Sequence, residues 1–428
     1  MSTWCPAPIS RRRVALVCRK FGDKSGGTQR AVARLDLVLR ESGWNVHVWC
    51  IGSTQEGEIE RAVNSRRSGR ALARGLRASH PDLTVVFGSS RRDYRLAYKL
   101  AASGLEVCFS EESEPSHALM RWGAPLPRPR RIAESERLRL LRSLAGVRCL
   151  RSDIWESLPS DLQERAVVIP NSADSSLQPT KTYKKSLNAR AFIVVGADRR
   201  WKNIDPVIRA HLRMLEHGSD WRLVIFGKYL DLPRATLKAM DPDFQEFRGF
   251  EEDRAALYQS GQVLIIPSHS EGVSLVALEA ASLGVPILAF RDCAGVSAIV
   301  SDGENGILMP STECDESALY EAMINLADDD NLRAKISGRV DLSGSAFDEK
   351  EINQQWYQWL SGESCVNAPT LEVDHEKSRL VLHSLGSALG ALNVLSEFHF
   401  LRLSRWFRFG YYLLHRGRRS GPLEASGG

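Results

Sequence analysis

Val263–Phe290 reads VLIIPSHSEGVSLVALEAASLGVPILAF, and the reading of this stretch decides the fold. Val263–Ile266 is a short apolar run rich in β-branched residues, which predicts a buried strand. Pro267-Ser268 ends it, and Ser268–Ser274 is polar with one glycine, Gly272. From about Ser274 the residues Leu275, Leu278 and Leu283 recur at helical spacing. Gly284 and Pro286 stop that helix, and Val285–Phe290 is a second buried strand. Strand, tight loop, helix and strand form one unit of an α/β sheet.

A loop of this kind places free backbone N–H groups at a helix N-terminus, a ready site for a phosphate. Glu271 lies in the loop and Glu279 follows eight residues later in the helix. That separation is slightly over two turns, so both acids are expected on roughly the same side. Carboxylates pair with the vicinal hydroxyls of a ribose or a sugar. Solvated or capping glutamates are the other reading, and spacing alone does not choose between them.

The stretch PSHSEGVSLVALEAASLGVPI resembles the signature of the group-1 glycosyltransferases, a retaining family on the two-domain GT-B fold, in which two glutamates are separated by seven residues. The resemblance implies that Glu271 holds hydroxyls of a donor sugar and Glu279 those of the ribose. It further implies that Gly272, Val273, Ser274 and Leu275 bring backbone N–H groups to the donor diphosphate.

The rest of the chain is consistent with an α/β enzyme. Its 428 residues suit two domains with extras, and 43% hydrophobic with 25% charged residues is a globular balance. The eight cysteines form no zinc or redox spacing and read as reduced thiols of a cytosolic protein. No secretory segment and no run long enough to span a bilayer is expected. The net charge of +5 is uneven: one arginine group runs from Arg61 to Arg77, a second from Arg128 to Arg142 and a third from Arg402 to Arg419. Such clusters suit anionic lipid or a phosphorylated acceptor, or are ordinary solvated faces.

Val14–Cys18 is the predicted first strand, followed by a loop containing Gly26 and Gly27, a helix ending at Gly43, and a strand over Trp44–Ile51. In the resembled family a Gly-Gly loop here faces the donor diphosphate and acceptor across the cleft. Its GGTQR is also similar to the lipopolysaccharide-core glucosyltransferases. Leu83–Phe87 and Glu106–Phe109 are further strands. Glu111 and His117 in the segment after them are candidates near the sugar, with a solvated loop as the plainer reading. Arg121–Arg142 mixes Trp122, Leu126 and Ile132 with arginines, a pattern compatible with a membrane surface.

Val167–Asp174 resembles the I-P-N-G-x-D segment that closes the family's first domain, with Ser172 in place of glycine. Thr180–Asn188 is polar and reads as the linker. After the strand Phe192–Val195, the loop GADRRWKN carries the cations that a diphosphate requires, and a guanidinium can grip it bidentately. The resemblance implies Lys202 and Arg200 in that role, with Arg199 as the alternate. Asp241-Pro242-Asp243 matches the D-x-D metal site of a different glycosyltransferase fold but reads as a turn. Phe398–Arg419 interleaves six arginines with aromatic residues and has no acid, so it suits either an anionic membrane surface or docking on the enzyme body.

The expected architecture is therefore α/β, GT-B: two doubly wound Rossmann-like domains facing across a cleft, with a C-terminal helical extension. The expected bounds are 11–178 for the acceptor-side domain, 189–345 for the donor-nucleotide domain, 346–361 for a helix crossing back, and 362–428 for a basic aromatic tail. The expected activity is metal-independent, retaining transfer from a nucleotide-diphosphate sugar to a hydroxyl of a cell-envelope glycan or glycolipid. The catalytic set is Glu271, Lys202 and Arg200, and the donor-binding set is Gly26, Gly27, Gly272, Val273, Ser274, Leu275 and Glu279. No cofactor, metal or nucleic acid is expected, and the location is cytoplasmic, at the inner face of the membrane where the tail binds lipid. A sugar-nucleotide epimerase or hydrolase, or a non-catalytic binding subunit, are the alternatives on the same fold.

Overall fold

The computed structural model describes residues 13–19, 27–51, 61–62, 68–115, 127–177, 189–196, 200–227, 232–311, 316–337, 342 and 345–362. Gly26, His117, Arg199, the linker and the tail lie outside the described residues, as do the side chains of Arg200, Arg61 and Arg128. The chain divides into two compact units, Met1–Leu371 and Glu372–Gly428; every described residue is in the first.

The first half of that unit contains β1 (Arg13–Cys18), α1 (Gly27–Glu41), β2 (Asn45–Cys50), β3 (Arg61–Ala62), α2 (Ser68–Ser79), β4 (Leu83–Gly88), α3 (Arg91–Ala101), β5 (Val107–Glu111), α4 (Pro127–Leu141), β6 (Gly146–Cys149), α5 (Ser152–Glu156), α6 (Ser160–Gln163) and β7 (Ala166–Val168). Its strands form one seven-stranded parallel sheet in the order β3-β2-β1-β4-β5-β6-β7. The second half contains β8 (Ala191–Val195), a 3-10 turn at Arg200–Lys202, α7 (Ile204–Glu216), β9 (Arg222–Phe226), α8 (Arg234–Ala239), β10 (Gln245–Gly249), α9 (Arg254–Gln259), β11 (Val263–Ile266), α10 (Leu275–Leu283), β12 (Ile287–Phe290), α11 (Ala294–Ser297), β13 (Gly306–Met309), α12 (Glu316–Asp328), α13 (Asp330–Ile336) and α14 (Glu349–Ser361). Its sheet is six-stranded and parallel, ordered β10-β9-β8-β11-β12-β13.

Both sheets are covered on both faces, which is why β11 and β12 are continuous apolar runs and every residue of β4, β11 and β12 is buried. Each sheet reverses its winding direction once, between β1 and β4 and between β8 and β11. In a doubly wound sheet the crevice at such a reversal, beyond the carboxyl ends of the strands, is where a ligand binds. The loop with Gly27 follows β1, Lys202 follows β8, and Glu271 follows β11. A single buried cluster runs from Leu150 and Ile154 of the first half to Ile266, Val273 and Ala277 of the second. The last helix, α14, packs on the first sheet through Ile352, Trp356 and Trp359, with the Trp356 ring 5.9 Å from that of Phe87.

Two expectations are corrected here. Glu111 is not in a solvated loop: it ends β5, is fully buried, and receives Nε and Nη2 of Arg137 at 2.7 Å each. The second arginine group is accordingly not a surface feature throughout, since Arg137 points inward from α4. Arg148 interrupts the apolar pattern of β6, and its charge is buried only because Glu112, Ser110 and the carbonyls of Ile169 and Pro170 accept from it. Cys18, Cys50, Cys108, Cys149 and Cys293 are buried and form no disulfide among the described residues.

Candidate active site

Lys202 is placed by two backbone features. Gly196 leaves β8 at φ +149, a conformation that favours glycine, and a Cβ there would press on Lys202 Cε at 3.3 Å. Asn203 then takes a left-handed conformation, φ 52, and starts α7. Lys202 Nζ reaches Glu271 Oε1 at 2.5 Å, and the Ser268 hydroxyl donates to the same oxygen at 2.8 Å. His269 N–H donates to Trp201 O at 2.7 Å, so the loops after β8 and β11 are tied through their backbones as well.

Ser274 caps α10 by accepting from Ala277 N–H, as Ser at an N-cap does. Gly272 in this loop and Gly295 in α11 both lie at close approaches. A Cβ on Gly295 would lie 2.3 Å from Gly272 O, and one on Gly272 would lie 2.4 Å from Leu150 Cδ1 of the first half. Gly27, the first residue of α1, would carry its Cβ 3.3 Å from Leu275 Cδ1. The N-termini of α1 and α10 therefore meet, and Gly27, Gly272, Val273, Ser274 and Leu275 share one region.

Helical spacing does not relate Glu271 to Glu279. Glu271 precedes α10, so the rise and twist of the helix do not relate the two. Glu279 is almost wholly buried and has a different set of partners. Tyr258 Oη donates to its Oε2 at 2.8 Å, Arg254 lies 3.4 Å from Oε1, and Arg30 of α1 forms an ion pair with Oε1 from across the halves. Burial and the Glu279 charge push the Tyr258 phenol well up, so it remains a donor. Arg254 also pairs with Asp174, which Arg34 holds at 2.6 Å. Burial opposes the charge on Asp174, but the Ser176 hydroxyl and these two guanidinium groups outweigh it and bring its pKa down to about 2.

Arg30, Arg34, Arg254, Tyr258, Asn171 and Arg151 were not assigned roles from the sequence. Arg30 and Asn171 lay inside motifs that were quoted, GGTQR and IPNSAD, but nothing local names their partners. Asp241 and Asp243 form the expected turn, with Asp243 N–H donating to Asp241 Oδ1 at 3.0 Å. Among the described residues no group of three or more His, Cys, Asp or Glu side chains is placed to hold a metal. Ala298 is the C-cap of α11.

Residues 189–329 match the family described as glycosyl transferases group 1. That stretch runs from just before β8 to just after α12. The chain is 25% identical over 342 residues to an exopolysaccharide phosphotransferase of Streptomyces coelicolor, covering 79% of this chain and 34% of that protein. It is 30% identical over 182 residues to a D-inositol 3-phosphate glycosyltransferase of Corynebacterium diphtheriae, covering 40% of each. The chain thus spans between about a third and a half of the curated relatives it matches first. Among solved structures it is similar to HepE of Anabaena in complex with UDP-glucose, with a TM-score of 0.63 at 16% identity over 82% of this chain and 99% of that one. At that identity the likeness is one of fold. The two parallel sheets are those of the GT-B architecture.

Proposed function

We propose that the chain is a retaining glycosyltransferase that moves a sugar from a nucleotide-diphosphate donor to a hydroxyl of a cell-envelope glycan or glycolipid. The observation that carries this reading is the Lys202–Glu271 pair at the winding reversal of the second sheet, beside the N-terminus of α10. As the bond between sugar and diphosphate breaks, negative charge accumulates on the leaving group. Lys202, Arg200 and the N–H groups that open α10 stabilise that charge where it develops. Arg199 is the alternate for Arg200. Glu271 takes hydroxyls of the sugar, and Glu279 takes those of the ribose. Because Glu271 holds Lys202 and Glu279 holds Arg30, donor binding exchanges each of these protein partners for a ligand group.

The family match over the second half supports the donor side of the reading, and the glycosyltransferase named in Corynebacterium supports transfer. Among the described residues no helix is long and apolar enough to cross a membrane. Attachment of Phe398–Arg419 to an anionic membrane surface is part of the proposal and concerns residues outside those described. Each basic residue near such a surface contributes about 1 kcal/mol, so six give reversible association.

The test is incubation of the full chain with a panel of nucleotide-diphosphate sugars, with and without a membrane extract. The expected result is nucleoside diphosphate release that depends on the extract, together with sugar recovered in the lipid or glycan fraction. Release without any acceptor product moves the reading to hydrolysis. Absence of thermal stabilisation by every nucleoside diphosphate tried ends it.

A further inference from the structure

The loop between β11 and α10 is held from the other half of the molecule. Arg151 Nη1 donates to Glu271 O at 2.9 Å and to Gly272 O at 2.5 Å. Asn171 Nδ2 donates to Val273 O at 3.0 Å, and Ser270 Oγ donates to Glu114 Oε2 at 2.9 Å. Arg151, Asn171 and Glu114 come from the segments after β6, β7 and β5, so three neighbouring strands of the first sheet present donors and acceptors to one loop of the second.

Arg151 is the most constrained of the three. Its side chain is 2% exposed, and its Nε and Nη2 grip the Asp153 carboxylate at 2.9 and 2.8 Å. A guanidinium is planar, so a bidentate carboxylate on one edge fixes the direction of Nη1 on the other. Leu150, the preceding residue, closes against Gly272 and leaves no room for a side chain there.

Peptide planarity carries the consequence. In a trans peptide the C=O and the following N–H point in opposite directions. Gripping the carbonyls of Glu271 and Gly272 therefore aims the N–H groups of Gly272 and Val273 away from Arg151. The same two carbonyls, in a loop with no ladder partner, need a donor when buried.

We infer that Arg151 is a positioning residue of the donor site, which sets the direction of the Gly272 and Val273 N–H groups toward the anionic oxygens of the donor without touching the donor itself. This rests on the reading that the chain binds a nucleotide-diphosphate sugar. The donor loop is then built by both halves: its residues come from the second, its orientation from the first. Lysine does not replace Arg151, because one ammonium cannot hold Asp153 bidentately and both carbonyls in a fixed plane.

The test compares the full chain with Arg151→Lys and Asp153→Asn, using amide hydrogen exchange over residues 271–275, melting temperature, and the affinities for nucleoside and for nucleoside diphosphate. In Arg151→Lys, exchange at Gly272 and Val273 is expected to rise while that of β8 and β9 stays at the parent level. Diphosphate affinity is expected to fall about tenfold, the loss of hydrogen bonds to a charged group, with nucleoside affinity nearly unchanged. Asp153→Asn keeps the guanidinium and loosens its aim, so it shifts both readouts in the same direction by less. Parent-level exchange at Gly272 and Val273 in both variants overturns the proposal. So does a uniform rise through the whole second sheet with equal loss for nucleoside and diphosphate, which is the behaviour of a merely structural arginine. If the parent chain binds no nucleoside diphosphate, the functional reading fails, and the exchange comparison still decides whether Arg151 orients the loop.

Discussion

The two sheets treat the acids at their carboxyl ends in opposite ways. Glu111 ends β5 of the first sheet and is sealed: Arg137 takes both its oxygens, Tyr94 donates to one of them, and neither Glu111 nor Arg137 is more than 1% exposed. Glu271 follows β11 of the second sheet and stays open, with its side chain 16% and that of Lys202 20% exposed. A buried, bidentate pair is tolerated only when its geometry offsets the desolvation of both ions, so it acts as a fixed wall. A lysine presents a point charge on a flexible stem and can exchange one partner for another. The contrast teaches which acid is available to a ligand. Glu111, a candidate on sequence, has no free oxygen edge to offer a sugar.

The largest test of this contrast is Arg137→Ala. It strands Glu111 without its counter-ion and is expected to cost about 3–5 kcal/mol in denaturant unfolding. A loss below about 1 kcal/mol, the range of an exposed pair, would erase the distinction between the two acids.

His211 sharpens the comparison by showing a third treatment of a buried ionisable group, which is to stay neutral. Its Nε2 meets Trp221 O at 2.9 Å and its Nδ1 meets Gln245 Nε2 at 3.0 Å, which suits a neutral ring with the proton on Nε2. Burial lowers its pKa to about 4. Its folded-state pKa lies below the unfolded value of about 6.5, so the unfolded chain binds the proton first. Stability is therefore unaffected by this group above about pH 6.5 and falls as the pH drops from there toward 4, by about 3 kcal/mol in all. Asp174 behaves differently, losing its contribution only between about pH 4 and 2. Unfolding free energies measured from pH 7 to 4 should show the histidine step, and His211→Gln should flatten it. A parent curve that is already flat contradicts the buried neutral state.

Lys202→Ala addresses the open acid. Stability should change by less than about 1 kcal/mol, as for other partly exposed pairs. Transfer should slow on the order of 10²-fold and diphosphate affinity fall, with nucleoside affinity retained. Glu271→Gln should instead keep nucleotide affinity and lose most transfer. Calorimetry with nucleoside and nucleoside diphosphate, beside product release, separates the two. Equal effects of both substitutions on both ligands would mean that the pair is structural, like Glu111 with Arg137.

The smallest expected effect is that of Arg30→Ala. Glu279 would keep Tyr258 and Arg254 and lose only the partner that the proposed function has a ribose displace. Nucleoside affinity should then tighten by about two- to threefold, the scale of one partly exposed ion pair. Weaker binding would make Arg30 a ligand contact instead.

Much of this was legible from contiguous residues. The strand, loop, helix and strand over Val263–Phe290, the cap at Ser274, the stop at Gly284 and the Asp241 turn each depend on neighbours a few positions away. Apolar runs, caps and glycines act over that range, so sequence by itself determined the parallel strands and the strand, loop and helix around Glu271, whereas Lys202 beside that loop followed only from the resemblance. Only the tertiary structure decided who holds which charge. Arg30 and Glu279 are 249 positions apart, and Arg151 is 120 from Glu271. No periodicity spans such a distance. Glu111 and Glu271 are the same residue at the carboxyl ends of parallel strands, Glu111 as the last residue of β5 and Glu271 in the loop after β11. Whether each is sealed or open follows from what packs over it, a bidentate arginine in one case and a single lysine in the other, because the cost of a charge is set by its three-dimensional surroundings and not by its position in the chain.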